Sequence, residues 1–316
     1  MNRLLQIEDL SVSDVQNIMN NAFLMKNIHH STMYNKICGL LFFEPSTRTS
    51  SSFEAAIYKL GGQCIKFTPS MSSMKKGESF YDTICTMKTY CDVLIIRHPD
   101  KTIIDDIVKY FPSTKVISAG IGDAEHPTQA LLDLYTIQKY HTRYPEKIVF
   151  VGDVKHSRTI HSLVYLLYKM KPEINYVFVC PLHLQPDGAF EEFLILNNIK
   201  YCTWHTLDNI HIKDCDVIYM TRMQKERHAI QNNDELMSNI MILNNDILNM
   251  TKPTCIVLHP LPRNDELPRE VDMNPKCKYF EQMENGVYVR MSILDIMFDE
   301  KTEPKNIIQT NNTILM

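Results

Sequence analysis

The sequence predicts an α/β protein of two domains, each a mainly parallel sheet flanked by helices. Three observations predict it. Short apolar runs alternate with amphipathic stretches along most of the 316 residues, the pattern of strand–helix units that cover both faces of a parallel sheet. The alternation runs to about residue 140, is interrupted by the polar segment HTRYPEK (141–147), and then restarts. The length suits two domains of about 150 residues each, and no repeat at the roughly 20–50-residue period of a solenoid is present.

Each element has its own signal. Ser11 is a helix cap, followed by apolar Val15, Ile18, Met19, Ala22 and Phe23 at helical spacing. KICGLLFFE (36–44) is a buried strand. STRTSSSFEAAIYKL (46–60) is a helix that stops at Gly61-Gly62. QCIKFT is a strand, SFYDTICTMKTY a helix, DVLIIRH (92–98) a strand, TIIDDIVKYF a helix and KVISAG (115–120) a strand. Pro127 suits the first turn of a longer helix reaching His141. In the second half KIVFVGD, YVFVC, KYCTWH, DVIYMTR and TCIVLHP are strand candidates, most separated by helical stretches. NGVYVRMSILDIMF is the final helix. The expected organisation is a first domain over 1–140, a second over 141–284, a helix over 285–298 that packs back on the first, and a polar, Asn-rich, poorly ordered tail over 299–316.

Composition removes whole classes of function. With 44% hydrophobic and 22% charged residues the chain is an ordinary globular protein, not collagen-like, disordered or a disulfide scaffold. A net charge of −4 argues against nucleic-acid binding through bulk charge. The nine cysteines form no C-x-x-C pair, and most lie in apolar runs; they read as buried free thiols in a reducing compartment, without the clustering of a zinc site. No run reaches the roughly 18–20 apolar residues of a membrane helix, and the N-terminus has no signal-peptide pattern, so the expected location is cytoplasmic.

In open α/β sheets the ligand lies at the carboxyl ends of the strands, and cations gather there. Ser46, Thr47, Arg48 and Thr49 follow the first strand at a helix start, where free N–H groups and the helix dipole attract an anion, and hydroxyls with an arginine favour phosphate. The same residues also make an ordinary helix cap beside an exposed arginine. The loop PSMSSMKKGES (69–79) carries Ser72, Lys75 and Lys76 and by itself reads as a flexible basic surface loop. Arg97 ends DVLIIR, Arg158 follows KIVFVGD, Arg222 ends DVIYMTR with Gln224 and Arg227 behind it, and Arg263 follows CIVLHPLP. One such arginine proves nothing. Several, in a chain of net negative charge, predict a cationic cleft for small anions bearing more than one charged group. His126 opens the long helix; neighbouring cations should lower its pKa and leave it a neutral hydrogen-bond donor, with Gln129 one turn on along the same face.

Familiar catalytic signatures are missing. VFVGDVKHSRTIHSL (149–163) has the strand–turn–helix order of a dinucleotide site but not G-x-G-x-x-G, because Lys155 and Ser157 stand where small residues belong. There is no P-loop, no G-x-S-x-G elbow and no H-E-x-x-H, and no nucleophile–base pair is evident. Catalysis should therefore come from positioning and electrostatics.

Taken together, FFEPSTRTSSSFEAA, MKKGES, IIRHP, HPTQALLDLYTI, GDVKHSRTIHSL, YMTRMQKER, HPLPR and ENGVYVR resemble the catalytic chain of the aspartate carbamoyltransferase family, in order over roughly residues 4–298. S-T-R-T and H-P-x-Q are shared with ornithine carbamoyltransferases. Lys76, T-R-x-Q-K-E-R and H-P-L-P-R favour the aspartate enzymes, since ornithine enzymes typically carry H-C-L-P. An aspartate site should hold arginines for two carboxylates, whereas an ornithine site needs carboxylates for the extra amine.

The resemblance implies the aspartate/ornithine carbamoyltransferase fold, and transfer of the carbamoyl group of carbamoyl phosphate to the α-amino group of L-aspartate, an early step of pyrimidine biosynthesis. It implies that Ser46, Thr47, Arg48 and Thr49 hold the phosphate and that Arg97 bridges phosphate and carbonyl oxygen. Thr49, Arg97 and His126 would polarise the carbonyl. Gln129 and the backbone carbonyls of Pro260 and Leu261 would hold the carbamoyl NH2. Arg158 would take the α-carboxylate of aspartate, and Arg222 with Gln224 the β-carboxylate. Ser72 and Lys76 would reach in from a neighbouring subunit, and Glu44 would brace Arg158 and Arg227. No metal or organic cofactor, nucleic acid or membrane is implied. A homotrimer with shared sites is, and a regulatory chain or multienzyme partner is left open.

S-T-R-T-S-S-S-F, with Ser50 where some members have arginine, looks more like the corresponding domain of the animal multifunctional pyrimidine protein, and E-N-G-V-Y-V-R has the same character. The expectation is a stand-alone chain or a product separated from its usual partners. Two other readings compete. One is a carbamoyltransferase for a different amino acid. The other is a silent homologue serving in binding or assembly, which should have lost cleft residues; all those assigned are present.

Overall fold

Two parallel five-stranded sheets form, as the alternation predicts. The structure is a computed structural model that describes residues 1–26, 31–123, 125–207, 212–223 and 241–299. The first sheet contains β1 (Arg3–Leu4), β2 (Ile37–Phe42), β3 (Gln63–Phe67), β4 (Val93–His98) and β5 (Val116–Ile121), in the spatial order β1-β5-β4-β2-β3. The second contains β6 (Lys147–Val151), β7 (Asn175–Val179), β8 (Tyr201–Trp204), β9 (Val217–Met220) and β10 (Ile256–Leu258), in the order β10-β9-β6-β7-β8. Every pairing is parallel. Central strands β5 and β9 are buried at every residue, as strands covered on both faces must be. The outer strands β3 and β8 hold only exposed and half-buried residues.

Among the described residues the α-helices are α1 (Val12–Met25), α2 (Thr47–Lys59), α3 (Phe80–Tyr90), α4 (Ile103–Tyr110), α5 (Pro127–Tyr140), α6 (Arg158–Met170), α7 (Gly188–Leu196), α8 (Asn245–Met250) and α9 (Tyr279–Phe298). Ser11 caps α1 in a reciprocal box with Asp14, and Ser79 caps α3 through the Asp82 N–H. Val15, Ile18, Met19 and Ala22 are buried as expected, but Phe23 is 41% exposed and lays its ring 4.5 Å from that of Tyr135. Phe23 is about 100° around the helix from Ala22, on the flank of the apolar stripe, and Met25 takes the inner position.

Two elements depart from the sequence reading. The two-residue strand β1 carries too little pattern to detect. The last helix begins at Tyr279 rather than 285, so a boundary at 284 falls within it; its cap position, Lys278, makes no side-chain cap bond that would announce the start. α9 packs against α1, α2 and α5. All nine cysteines are free, but only Cys38, Cys180, Cys215 and Cys255 are buried; Cys202, on outer strand β8, is exposed. Among the described residues no helix is long and apolar enough to cross a membrane.

The topology sets where a ligand belongs. From β2 the chain runs through α2 to β3 on one side, while β4 and β5 lie on the other. From β6 it runs to β7 and β8 on one side, while β9 and β10 lie on the other. The strand order therefore reverses at β2/β4 and at β6/β9, and a crevice opens outside the carboxyl ends at each reversal. α5, buried at every residue from Pro127 to Ile137, packs on β5 in the first sheet and on α6 and β10 from the second half.

Candidate active site

A cleft of about 840 Å³ joins the two reversals, within the usual size of a small-molecule site. Ser46, Thr47, Arg48 and Thr49 line it from the start of α2, Arg97 from the end of β4, and His126 and Gln129 from the start of α5. Arg158 lines it from the first position of α6, Arg222 from just beyond β9, and Pro260 and Leu261 from beyond β10. Residues more than two hundred positions apart thus meet because parallel strands end on one side.

The start of α2 is suited to receive an anion. Ser46 is extended and makes no side-chain cap bond, and the first turn holds no acid. Its N–H groups and positive dipole end are left for a ligand. Among the described residues, five arginines line the cleft (Arg48, Arg97, Arg158, Arg222 and Arg290) against one carboxylate, Glu44. Burial and then the charges of Arg222 and Arg97 hold Arg48 below its ordinary pKa, the mark of cations crowded together.

Glu44 moderates this crowding. Its Oε2 lies 3.3 Å from Arg97 Nη2 and 3.9 Å from Arg158 Nη2. The sequence reading paired it with Arg158 and Arg227; its nearer partner is Arg97, and Arg227 lies outside the described residues. Arg97 also donates through Nη1 to the Ala119 carbonyl at 3.2 Å, and Arg158 donates to the Gly122 carbonyl.

His126 is 5% exposed, and its pKa is well below the ordinary histidine value. Burial is the first cause; Arg158, Arg97 and Arg290 follow. The sequence reading named only the cations. Either way the imidazole is neutral and carries one N–H to donate. Its backbone N–H is fixed to Ser162 Oγ at 2.9 Å. Gly120 lets these groups meet: at φ +103° it sits where a Cβ would lie 2.9 Å from Arg97 Nη1 and 3.5 Å from the His126 ring.

The turn after β10 is held from behind. His259 Nδ1 accepts the Leu261 N–H at 2.8 Å, and Nε2 lies 3.0 Å from Glu266 Oε1. Nδ1 as acceptor makes Nε2 the donor, which fixes a neutral tautomer. This bond holds Leu261 at φ +54°, a left-handed conformation costly for leucine.

Two of the expected site residues, Ser72 and Lys76, are not brought to the cleft of their own chain. Ser72 and Lys76 lie in short turns after β3 and do not line it, and Lys76 is exposed. Gln224 and Arg227 lie outside the described residues. Sequence reasoning missed Gly120, Asp133 and Arg290. Arg290 is fully buried from α9, 5.0 Å over the Phe53 ring, with its pKa lowered to about 10 by burial. Its signal was an arginine inside an apolar helix.

Comparison with known proteins gives the same outline. The carbamoyl-P binding domain of the aspartate/ornithine carbamoyltransferases matches residues 2–139, and their Asp/Orn binding domain matches residues 146–297. The aspartate carbamoyltransferase catalytic subunit of Alkaliphilus oremlandii is 37% identical over 99% of this chain and 96% of its own. The multifunctional protein CAD of Squalus acanthias is 41% identical over 90% of this chain, which spans only 13% of that protein. Aspartate transcarbamoylase of Trypanosoma cruzi, solved in complex with carbamoyl phosphate and aspartate, superposes with a TM-score of 0.85 at 33% identity, covering 93% of this chain and 95% of that one.

Proposed function

Because the chain belongs to the aspartate/ornithine carbamoyltransferase family, we propose that the cleft carries out the reaction named for its aspartate-using relatives. The protein transfers the carbamoyl group of carbamoyl phosphate to L-aspartate, giving N-carbamoyl-L-aspartate and phosphate for pyrimidine biosynthesis. One observation carries this reading. Five arginines and an acid-free helix start share one cleft with a neutral histidine, which suits a phosphate, two carboxylates and a developing oxyanion.

Carbamoyl phosphate is assigned to the domain over 1–140, with its phosphate on Ser46, Thr47, Arg48 and Thr49. Arg97, His126 and Thr49 polarise the carbonyl, and Gln129 with the Pro260 and Leu261 carbonyls takes the NH2. Aspartate is assigned to the second domain, its α-carboxylate on Arg158 and its β-carboxylate on Arg222 and Gln224. The neutral amine attacks the carbamoyl carbon, and the proton it gives up leaves with the departing phosphate. The tetrahedral intermediate collapses with cleavage of the C–O bond to phosphate. The protein's part is to hold both substrates in line and to place donors at the oxyanion.

Ser72 and Lys76 complete the site from a neighbouring subunit of a homotrimer. Their position on an exposed turn beyond outer strand β3, away from their own cleft, supports this. The nine unpaired cysteines support a reducing, cytoplasmic location.

The test is a colorimetric ureido assay with carbamoyl phosphate and either L-aspartate or L-ornithine. Product with aspartate alone is the expected result. Product with ornithine alone overturns the aspartate half, and a folded protein inactive with both overturns the reaction. For the shared site, Lys76→Ala and Arg48→Ala chains are unfolded, mixed and refolded. Activity should return in the hybrids, because some trimers then hold one intact site; subunit exchange without recovery removes Lys76 from the neighbouring site.

A further inference from the structure

Asp133 lies in the middle of α5 and is fully buried. Its Oδ1 accepts from the side-chain NH2 of Gln129 at 2.8 Å and from that of Gln282 at 2.6 Å, and its Oδ2 accepts the Tyr219 hydroxyl at 2.8 Å. One carboxyl group thus ties α5 to α9 and to β9. Burial pushes its pKa up to about 7, against these three hydrogen bonds and the nearby charge of Arg290. An unpartnered acid here would be costly, so a residue of this kind is retained with its full set of donors.

The chemistry of the acceptor decides how the amides point. An amide offers NH2 on one side and oxygen on the other, whereas the Asp133 oxygens receive. Gln129 and Gln282 must therefore both turn their nitrogens to Asp133 and their oxygens away. For Gln282 the result is visible: its Oε1 accepts the backbone N–H of His259 at 2.9 Å. His259 is the residue that holds the Leu261 N–H and with it the turn after β10. For Gln129 the oxygen is the polar atom left to face the cleft that the side chain lines.

We propose that Asp133 is a positioning residue that makes the cleft select a carbamoyl nitrogen, by orienting Gln129 directly and the His259–Pro262 turn through Gln282. Both elements then present acceptors at one place, where carbamoyl phosphate has its NH2. The inference rests on the assignment of Gln129 and this turn to the carbamoyl group. Without Asp133 the Gln129 amide loses the acceptor that fixes which way it points, and the preference for NH2 over a group of equal size weakens. Acetyl phosphate is the matching probe, because it keeps the phosphate and carbonyl and replaces NH2 with CH3.

The experiment measures dissociation constants of carbamoyl phosphate, acetyl phosphate and inorganic phosphate for the intact chain and its variants. Asp133→Leu should weaken carbamoyl phosphate about ten-fold, the worth of one hydrogen bond, and leave the other two within about two-fold. Asp133→Asn should restore selectivity, since its oxygen can face both amides while its NH2 donates to Tyr219. A role confined to stability would weaken all three ligands together, and that result overturns the proposal. If Asp133→Leu does not fold, Asp133→Ser carries the same test, its hydroxyl too short to reach both amides. Gln129→Met separates the two levels. Lost selectivity in Gln129→Met but not in Asp133→Leu refutes the role of Asp133 alone. Selectivity kept in Gln129→Met refutes the carbamoyl assignment itself.

Discussion

Arg97→Ala should lower kcat about 10³-fold while leaving thermal stability within about 1 kcal/mol of wild type. The two halves of this expectation have separate causes. Arg97 extends from the end of β4 into the cleft, within 3.3 Å of Glu44 and donating to the Ala119 carbonyl. On the proposed reading its guanidinium spans the phosphate and the carbonyl oxygen, so its charge acts most strongly when that oxygen becomes an oxyanion. Truncation leaves His126 as a donor. The imidazole stays neutral, because burial is the largest cause of its low pKa and Arg158 ranks ahead of Arg97 among the charges. The variant therefore loses one preorganised donor without changing the protonation state of the other.

Stability behaves differently because Arg97 stands among like charges. It helps to lower the pKa of both Arg48 and His126, so its removal relieves repulsion while the Glu44 pair is lost. Glu44 keeps Arg158 at 3.9 Å. Function and stability are opposed at this position, as is common in cationic active sites. Arg97→Lys should recover only part of the rate, since an ammonium keeps the charge but not the planar fork. Steady-state kinetics and a thermal melt on the same preparations check both halves. Near-normal turnover in Arg97→Ala, or a large fall in melting temperature with little loss of rate, would remove Arg97 from the role assigned.

What could be read in the sequence follows from where the physical signal is local. Strands such as Val93–His98 and Val116–Ile121 are mostly apolar because both faces are covered. Ser11 and Ser79 announce helix starts because their hydroxyls cap the helix directly. Thr47, Arg48, Arg97, Arg158 and Arg222 could be picked out because parallel strands deliver their following residues to one edge. Asp133, Arg290 and Gly120 escaped for the opposite reason. Each matters through partners distant in sequence: Tyr219 and Gln282 for Asp133, Phe53 for Arg290, Arg97 for Gly120. A trace was present for two of them, as a lone acid in the buried helix and a lone arginine in the last one. Lys76 is a third kind of case. Its motif is plain in the sequence, yet one chain contains no partner for the role assigned to it, so its place depends on assembly.

Gly152→Ala should be the most damaging single-methyl change, lowering stability by about 3–5 kcal/mol. Gly152 follows β6 at φ +118°, and a Cβ there would lie 2.2 Å from the Thr221 carbonyl oxygen and 2.6 Å from Thr221 Oγ1. The obstacle is mainly backbone, and it is pinned. Thr221 donates its N–H at 2.8 Å and its hydroxyl at 3.0 Å to the Val151 carbonyl, while the Gly152 N–H bonds to Val179 at 3.0 Å. Alanine must therefore either break this lattice or pry apart β6 and β9 at the strand-order reversal. At about 2–4 °C per kcal/mol, the melting temperature should fall by roughly 10 °C. The damage should also be selective. Arg158 follows β6 and Arg222 follows Thr221, so the half of the cleft assigned to aspartate is displaced. The start of α2 belongs to the other sheet and should bind phosphate as before. The expected signature at a temperature where the variant is folded is a raised KM for aspartate with little change for carbamoyl phosphate. An unchanged melt would show that the β6–β9 spacing yields cheaply. Equal weakening of both substrates would show that the two reversals are not independent supports for the two halves of the site.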